Sequence, residues 1–236
     1  MKYILTILSV ILFLSFKNDN TELLQVEQKF KLHVPEPSDI CLSADKQKYY
    51  VVSDNGYLFV TDLQFNVIRK AKFKGLDCEG VYADEKYVYV MDESLRKISV
   101  FDVENLTEVK GNTLTYLGGR NKSFECLTYN SQKKRFITVV EKNPIAIWEL
   151  DENLNKVIEY PFTAAHDISG ACYHNGHLYL LSDEDRKVME VNPENYSVIQ
   201  SWRIPVLNPE GITFSPEGKL VISSDDMSEA FIFKAL

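Results

Sequence analysis

Apolar positions along this chain fall into short runs separated by acidic or glycine-bearing turns. Tyr49-Tyr50-Val51-Val52, Tyr87-Val88-Tyr89-Val90, Phe136-Ile137-Thr138-Val139-Val140, Leu178-Tyr179-Leu180-Leu181 and Leu220-Val221-Ile222 are dominated by β-branched, leucine and aromatic residues. They are too short for buried helices and carry no 3.6-residue period, so they predict strands. Each run belongs to a unit that recurs five times. The units open on Glu36-Pro37-Ser38-Asp39-Ile40, Asp77-Cys78-Glu79-Gly80-Val81, Ser123-Phe124-Glu125-Cys126-Leu127, Asp167-Ile168-Ser169-Gly170-Ala171 and Asn208-Pro209-Glu210-Gly211-Ile212. Their middle residues, Ser38, Glu79, Glu125, Ser169 and Glu210, recur every 41–46 positions. A period of that size means a solenoid or a propeller, and four strands per unit without a helix make a propeller blade.

The last unit holds three strands, at about 211–214, 220–223 and 230–233, while residues 26–34 form one unmatched run ahead of the first unit. That run supplies the missing fourth strand. The expected fold is therefore all-β: a five-bladed β-propeller with four antiparallel strands per blade, its ring closed by an N-terminal strand. Closure of this kind leaves no long free sheet edge.

Two stretches now carry a family resemblance: Glu79-Gly80-Val81 with Val88-Tyr89-Val90-Met91-Asp92-Glu93-Ser94, and Pro209-Glu210-Gly211-Ile212 with Leu220-Val221-Ile222-Ser223-Ser224-Asp225. Together with Ser38-Asp39-Ile40 and Val51-Val52-Ser53-Asp54-Asn55-Gly56, they resemble the SdiA-regulated family of exported bacterial propellers, with NHL-repeat families as more distant relatives. The resemblance runs from about residue 26 to the C-terminus. It implies a five-bladed propeller with a calcium site and no settled reaction.

Residues 1–16 read as a short basic start followed by an apolar run broken only by Thr6, Ser9 and Ser15. The run matches a secretory h-region better than a membrane span, which needs about 20 residues. We expect residues 1–20 to be a signal peptide or N-terminal anchor and residues 21–236 to be one propeller domain. The protein is then exported, either to the periplasm or anchored facing it, and meets a membrane only through that segment.

Lys plus Arg total 26 against 34 Asp plus Glu, a net charge of −8. Nucleic-acid binding is excluded as an expectation, because that affinity comes from clustered basic residues. The four cysteines, Cys41, Cys78, Cys126 and Cys172, have no CxxC spacing and fall on separate inner strands, so they are expected to be buried free thiols.

Propeller geometry puts the start of each innermost strand and the turn after each second strand on one rim. That rim collects Glu79, Glu125 and Glu210, with Ser38 and Ser169 in the other two blades. It also gathers turn acids from Ser53-Asp54-Asn55, Asp92-Glu93, Glu141, Ser182-Asp183-Glu184 and Ser224-Asp225-Asp226. The opposite rim collects Lys46, Lys48, Lys86, Lys133, Lys134 and Arg135. Carboxylates converging on a narrow axis must protonate, spread into water or share a cation. Calcium, with its flexible shell of oxygen ligands, fits such a set, whereas zinc would want imidazole or thiolate. The expected metal residues are Glu79, Glu125, Glu210, Ser38 and Ser169; the alternative is that these side chains line a wet channel or cap backbone N–H groups. His166 lies beside this rim as a candidate general base. Arg96 and Arg186 occupy equivalent rim positions and either pair with acids or grip an anion.

No Gly-x-Ser-x-Gly elbow, His-Glu-x-x-His or phosphate-cradling loop occurs. The leading expectation is an exported calcium-binding module at the bacterial cell envelope, with a small molecule or protein as ligand at the acidic rim. The rival is a calcium-dependent hydrolase of esters or phosphoesters working at that rim. A scaffold with an empty channel is the third reading.

Overall fold

Short two-faced runs become strands because blades pack face to face on both sides of the middle strands, which therefore read as continuous apolar stretches. A computed structural model describes residues 21–119 and 123–234. The expected export segment lies outside the described residues. The described residues open with two strands, β1 (Glu22–Leu23) and β2 (Val26–Lys31). The first blade is β3 (Pro37–Leu42), β4 (Tyr49–Ser53), β5 (Tyr57–Thr61) and β6 (Val67–Lys70). The second is β7 (Cys78–Ala83), β8 (Tyr87–Asp92), β9 (Lys97–Asp102) and β10 (Glu108–Thr113). The third comprises β11 (Thr128–Asn130), β12 (Arg135–Val140), β13 (Ala146–Leu150) and β14 (Lys156–Pro161). In the fourth, β15 (Gly170–His174), β16 (His177–Ser182), β17 (Lys187–Val191) and β18 (Val198–Arg203) follow one another. The fifth takes β19 (Pro209–Phe214), β20 (Leu220–Ser224) and β21 (Glu229–Phe233) from the C-terminus and β2 from the N-terminus. The four strands of each blade are antiparallel to their neighbours, β2 pairs with β21, and the described residues contain no helix. The expected five-bladed ring, closed by its N-terminal strand, is the observed one.

Two details differ from the expectation. The closing strand stops at Lys31, and Leu32 and Val34 turn into the core at 1% exposure each. Ahead of it, β1 adds a fifth strand to the fourth blade, pairing parallel with β18 (Glu22 opposite Trp202). Main-chain hydrogen bonds place this two-residue strand, so no side-chain pattern announces it.

Five apolar clusters hold the ring together, one at each blade–blade joint. Between the fourth and fifth blades, for example, Leu181, Val188 and Trp202 pack against Ile212, Phe214, Leu220 and Phe231. Between the fifth and first, Val221 and Ala230 meet Tyr49, Val51 and Phe65. Outer strands are exposed, as the four residues of β6 show.

The innermost strands crowd the axis. A Cβ on Gly80 would stand 2.7 Å from the backbone carbonyl carbon of Cys126 and the amide nitrogen of Leu127 in the next blade. Backbone cannot rotate away as a side-chain tip can. Gly80→Ala should therefore lower stability by about 1–3 kcal/mol, as overpacking does, measured as a shift in the urea-unfolding midpoint at unchanged m-value.

An acidic mouth on the propeller axis

A β-bulge sets the aim of the anchors. Cys78 pairs with Asp92 and Gly80 with Met91, so Glu79 is an extra residue with no partner opposite. Ser38 is the extra residue between Pro37 and Asp39, and the register of β19 slips by one between Pro209 and Ile212, around Glu210. Bulges bend a strand and re-aim one side chain, and here they do so at the same height in three blades. Glu125 precedes β11, where its amide donates to the carbonyl of Val139 at 3.1 Å. Ser169 precedes β15, its amide donating to Leu181 at 3.0 Å.

The glutamates meet the second-strand turns, as the propeller geometry predicts. Glu79, Glu125 and Glu210 line a cavity of about 220 Å³ together with Asp54, Glu141, Asp183 and Glu184. Asp167, Ser169 and Lys142 complete the wall. Eight carboxyl groups thus face one ammonium. Lys142 pairs with Glu141 and, at 3.3 Å, with Glu184.

Crowding and burial disfavour the charged forms. Burial pushes the Glu79 carboxyl well above the usual carboxylate range, with Glu125 and Asp54 adding like-charge repulsion. Burial does the same for Glu125, followed by repulsion from Glu93 and Glu141. Glu210 is pushed up to about 9, first by burial and then by Asp183 and Asp54. Asp54 rises to about 6, with burial again the leading cause. Carboxyl–carboxyl hydrogen bonds push the same way: Glu79 bonds Asp77, and Glu125 bonds Glu93.

The serine anchors are tied into blade joints. Ser38 Oγ donates to the carbonyl of Cys78 in the second blade at 2.5 Å, and Ser169 Oγ donates to Pro209 in the fifth at 2.8 Å. Asp167 serves as a turn acceptor, taking hydrogen bonds from Ser182 Oγ and from the amides of Asp183 and Glu184, both at 3.2 Å. His166 stands outside the cavity wall. Its side chain is 79% exposed and its Nδ1 lies 2.5 Å from Asp185 Oδ1, a surface pair that raises the imidazole pKa. Arg96 spends its guanidinium on the carbonyls of Tyr116, Gly118 and Gly119, not on rim acids or an anion.

Among the described residues no three acidic, histidine or cysteine side chains stand close enough to form a ready metal cage. The donor chemistry of the wall nonetheless suits a hard cation, because every acidic group offers oxygen and neither imidazole nor thiol intrudes.

One axial residue goes unnoticed in the sequence reading. Asp39 is 1% exposed and occupies the position after the anchor, where Gly80, Gly170 and Gly211 stand in other blades. Its Oδ1 accepts from the amide of Ile40 and its Oδ2 from that of Val81, both at 2.8 Å. The amide of Ile212 adds a third bond. Three blades are therefore pinned to one carboxylate at the axis. Burial raises its pKa well above the ordinary value, against the lowering effect of those three amides. An acid in a column that otherwise holds Gly80, Cys126, Gly170 and Gly211 was the available signal.

The cysteines are free, as expected, but burial is uneven. Cys78 and Cys126 are buried, while Cys41 and Cys172 are half-buried because they line the other end of the channel.

Comparison with known proteins bears on fold and family. The SdiA-regulated family model matches residues 18–234. Glutaminyl cyclase from Myxococcus xanthus superposes with a TM-score of 0.73 at 12% identity, covering 90% of this chain and 96% of that one. The Cps50 (Swd1) β-propeller domain from Myceliophteria thermophila gives 0.52 at 11% identity, covering 86% of this chain and 66% of the other. At such identities the likeness is one of fold.

Proposed function

This chain belongs to the SdiA-regulated family, and from that premise we propose that it is an exported calcium-binding propeller, a binding module at the bacterial cell envelope. The observation that carries the reading is the convergence of Glu79, Glu125 and Glu210 with the turn acids on one mouth of the channel, where Lys142 is the single cation in the wall. A calcium ion would supply the missing positive charge there and draw the glutamates together. Glu79, Glu125 and Glu210 would hold it. Ser38 and Ser169, whose hydroxyl protons are committed to neighbouring blades, would contribute lone pairs at most. The ligand of the module would be a small molecule or a protein segment able to approach the acidic rim with the ion. The apolar run in residues 1–16 supports export.

Calorimetric titration of the chelator-stripped full chain tests the metal claim. One saturable calcium event is expected, weakened at least tenfold in Glu79→Gln or Glu210→Gln and not reproduced by magnesium. Absence of heat, with no retained metal in the protein, contradicts it.

A catalytic reading has one observation in its favour. Glu125 is a half-buried carboxyl at a solvent-reaching cavity, its pKa raised by burial and then by Glu93 and Glu141, which is the direction a general acid needs. A structural neighbour named as a cyclase illustrates that a ring of this shape can carry an enzyme. Turnover of generic ester or phosphoester substrates by calcium-loaded protein, abolished in a Glu125→Gln variant that still binds calcium, would establish hydrolysis; a flat response across both classes leaves the binding module.

A further inference from the structure

The channel has a second mouth, and its chemistry is the reverse of the first. Opposite the carboxylates lies a cavity of about 160 Å³ whose wall is formed by inner-strand residues of several blades, among them Cys41, Tyr82, Ala171, Cys172 and Phe214. No carboxylate lines it. Several of its polar groups are already spent within the protein, while the buried hydroxyl of Tyr173 has no hydrogen-bond partner among the described residues. Thr213 Oγ1 accepts from the amide of Leu42 at 3.2 Å, and Thr128 Oγ1 accepts from Tyr173 at 2.9 Å. Cys41 Sγ donates to the carbonyl of Leu42 at 3.3 Å. Asp39, the axial carboxylate, is turned onto the amides of Ile40, Val81 and Ile212, all wall residues, and so adds no free negative charge. The interior is left mostly apolar and soft, with thiols, methyl groups and rings, and the Tyr173 hydroxyl as its one unpartnered buried polar atom among the described residues.

The charge at its entrance is positive. Lys46 lines the cavity, and among the described residues its ammonium has no carboxylate partner. The neighbouring acid, Asp45, is turned away onto Ser43 Oγ at 2.5 Å and the amide of Gln47 at 3.2 Å. His174 stacks on Phe214, with ring centroids 3.9 Å apart and planes 8° from parallel, which gives the wall a flat aromatic face. Burial, with Lys46 beside it, lowers the His174 pKa, so at neutral pH that face is uncharged. An unpaired ammonium over an acid-free cavity stands out in a chain of net charge −8.

We propose that this mouth binds a small organic anion with a single ring or branched aliphatic body, the body seated between Cys41, Cys172 and Phe214 and the carboxylate paired with Lys46. Size agrees with the assignment, since an apolar cavity of about 150 Å³ takes up one benzene ring. Charge agrees as well, since an anion enters at the basic end and is repelled from the acidic one. This site does not depend on calcium at the other mouth.

Benzoate is the probe, with benzyl alcohol as its uncharged counterpart. Titrated into the full chain and followed by amide NMR shifts, benzoate should bind saturably at one site. The shifts should centre on Cys41, Cys172, His174 and Phe214. Lys46→Gln, an exposed change that leaves the core untouched, should weaken benzoate by about two- to fivefold, the worth of one solvent-exposed ion pair, and leave benzyl alcohol unaffected. Cys172→Leu, which fills the cavity, should abolish both. No saturable binding, shifts centred elsewhere, or equal benzoate affinity in Lys46→Gln and the parent chain would each overturn the proposal.

Discussion

Replacing Asp39 by alanine should remove about 3–5 kcal/mol of folding free energy, a large share of the 5–15 kcal/mol that holds a typical domain together. The loss comes from the partners left behind. The amides of Ile40, Val81 and Ile212 are buried at the axis, and without the carboxylate each faces an apolar hole. A buried donor without an acceptor costs about 1–3 kcal/mol, well above the net worth of the hydrogen bond itself. Asp39→Asn is the informative control. It keeps the volume but turns an N–H₂ group toward N–H donors, so it should cost at least half as much as the alanine. Urea unfolding of the two variants measures both. A loss under about 1 kcal/mol in each would mean that the axial amides find other partners, and that the ring is pinned by blade packing alone.

The pH dependence of the metal-free protein is the second large effect. Glu210 binds its proton up to about pH 9 in the folded chain, against 4.5 for an ordinary glutamate. Between those values the native state holds a proton that the unfolded state has lost. Stability therefore falls as pH rises through this window, and is fully present only below the lower limit. Asp54, raised to about 6, adds to the early part of the fall, and Glu79 and Glu125 shift in the same direction. Asp185, held down at about 2, acts oppositely but below pH 4, outside the window. In chelator the melting midpoint should drop between pH 5 and pH 8 by on the order of 5–10 °C. Glu210→Gln, which has no proton to lose, should flatten the slope. A midpoint that climbs over this range would show that the mouth carboxyls are already charged and hydrated.

The ring was readable from sequence because its repeat is enforced by two local devices. One is the anchor that opens each inner strand; the other is the polar turn that follows each second strand. Both recur in every blade, and together they predict which acids share a mouth. The β-bulges at Ser38, Glu79 and Glu210 were hidden, since a bulge is defined by the register of a partner strand and not by the residue itself. The destination of the Ser38 and Ser169 hydroxyls was equally hidden, because each acceptor is a main-chain carbonyl of another blade, about 40 residues on. Arg96 finds carbonyls in a loop 20–23 residues downstream, where a charge-pairing argument looks only for acids. Asp39 is the one acid in a column otherwise made of three glycines and Cys126, and was visible in principle. Its meaning needed the axis, where three blades bring their amides to one point.

Thermal unfolding of the full chain at pH 8, first in chelator and then in excess calcium, tests the central claim most directly. If the acidic mouth is a calcium site, calcium at about 100 times its dissociation constant adds about 2.7 kcal/mol. That raises the midpoint by on the order of 5–10 °C. Magnesium should do far less, and the rise should fall to about half or less in Glu79→Gln and Glu210→Gln, as an at least tenfold weaker site requires. Identical midpoints with and without calcium, in protein free of metal, would return Glu79, Glu125 and Glu210 to the role of protonated lining in a wet channel.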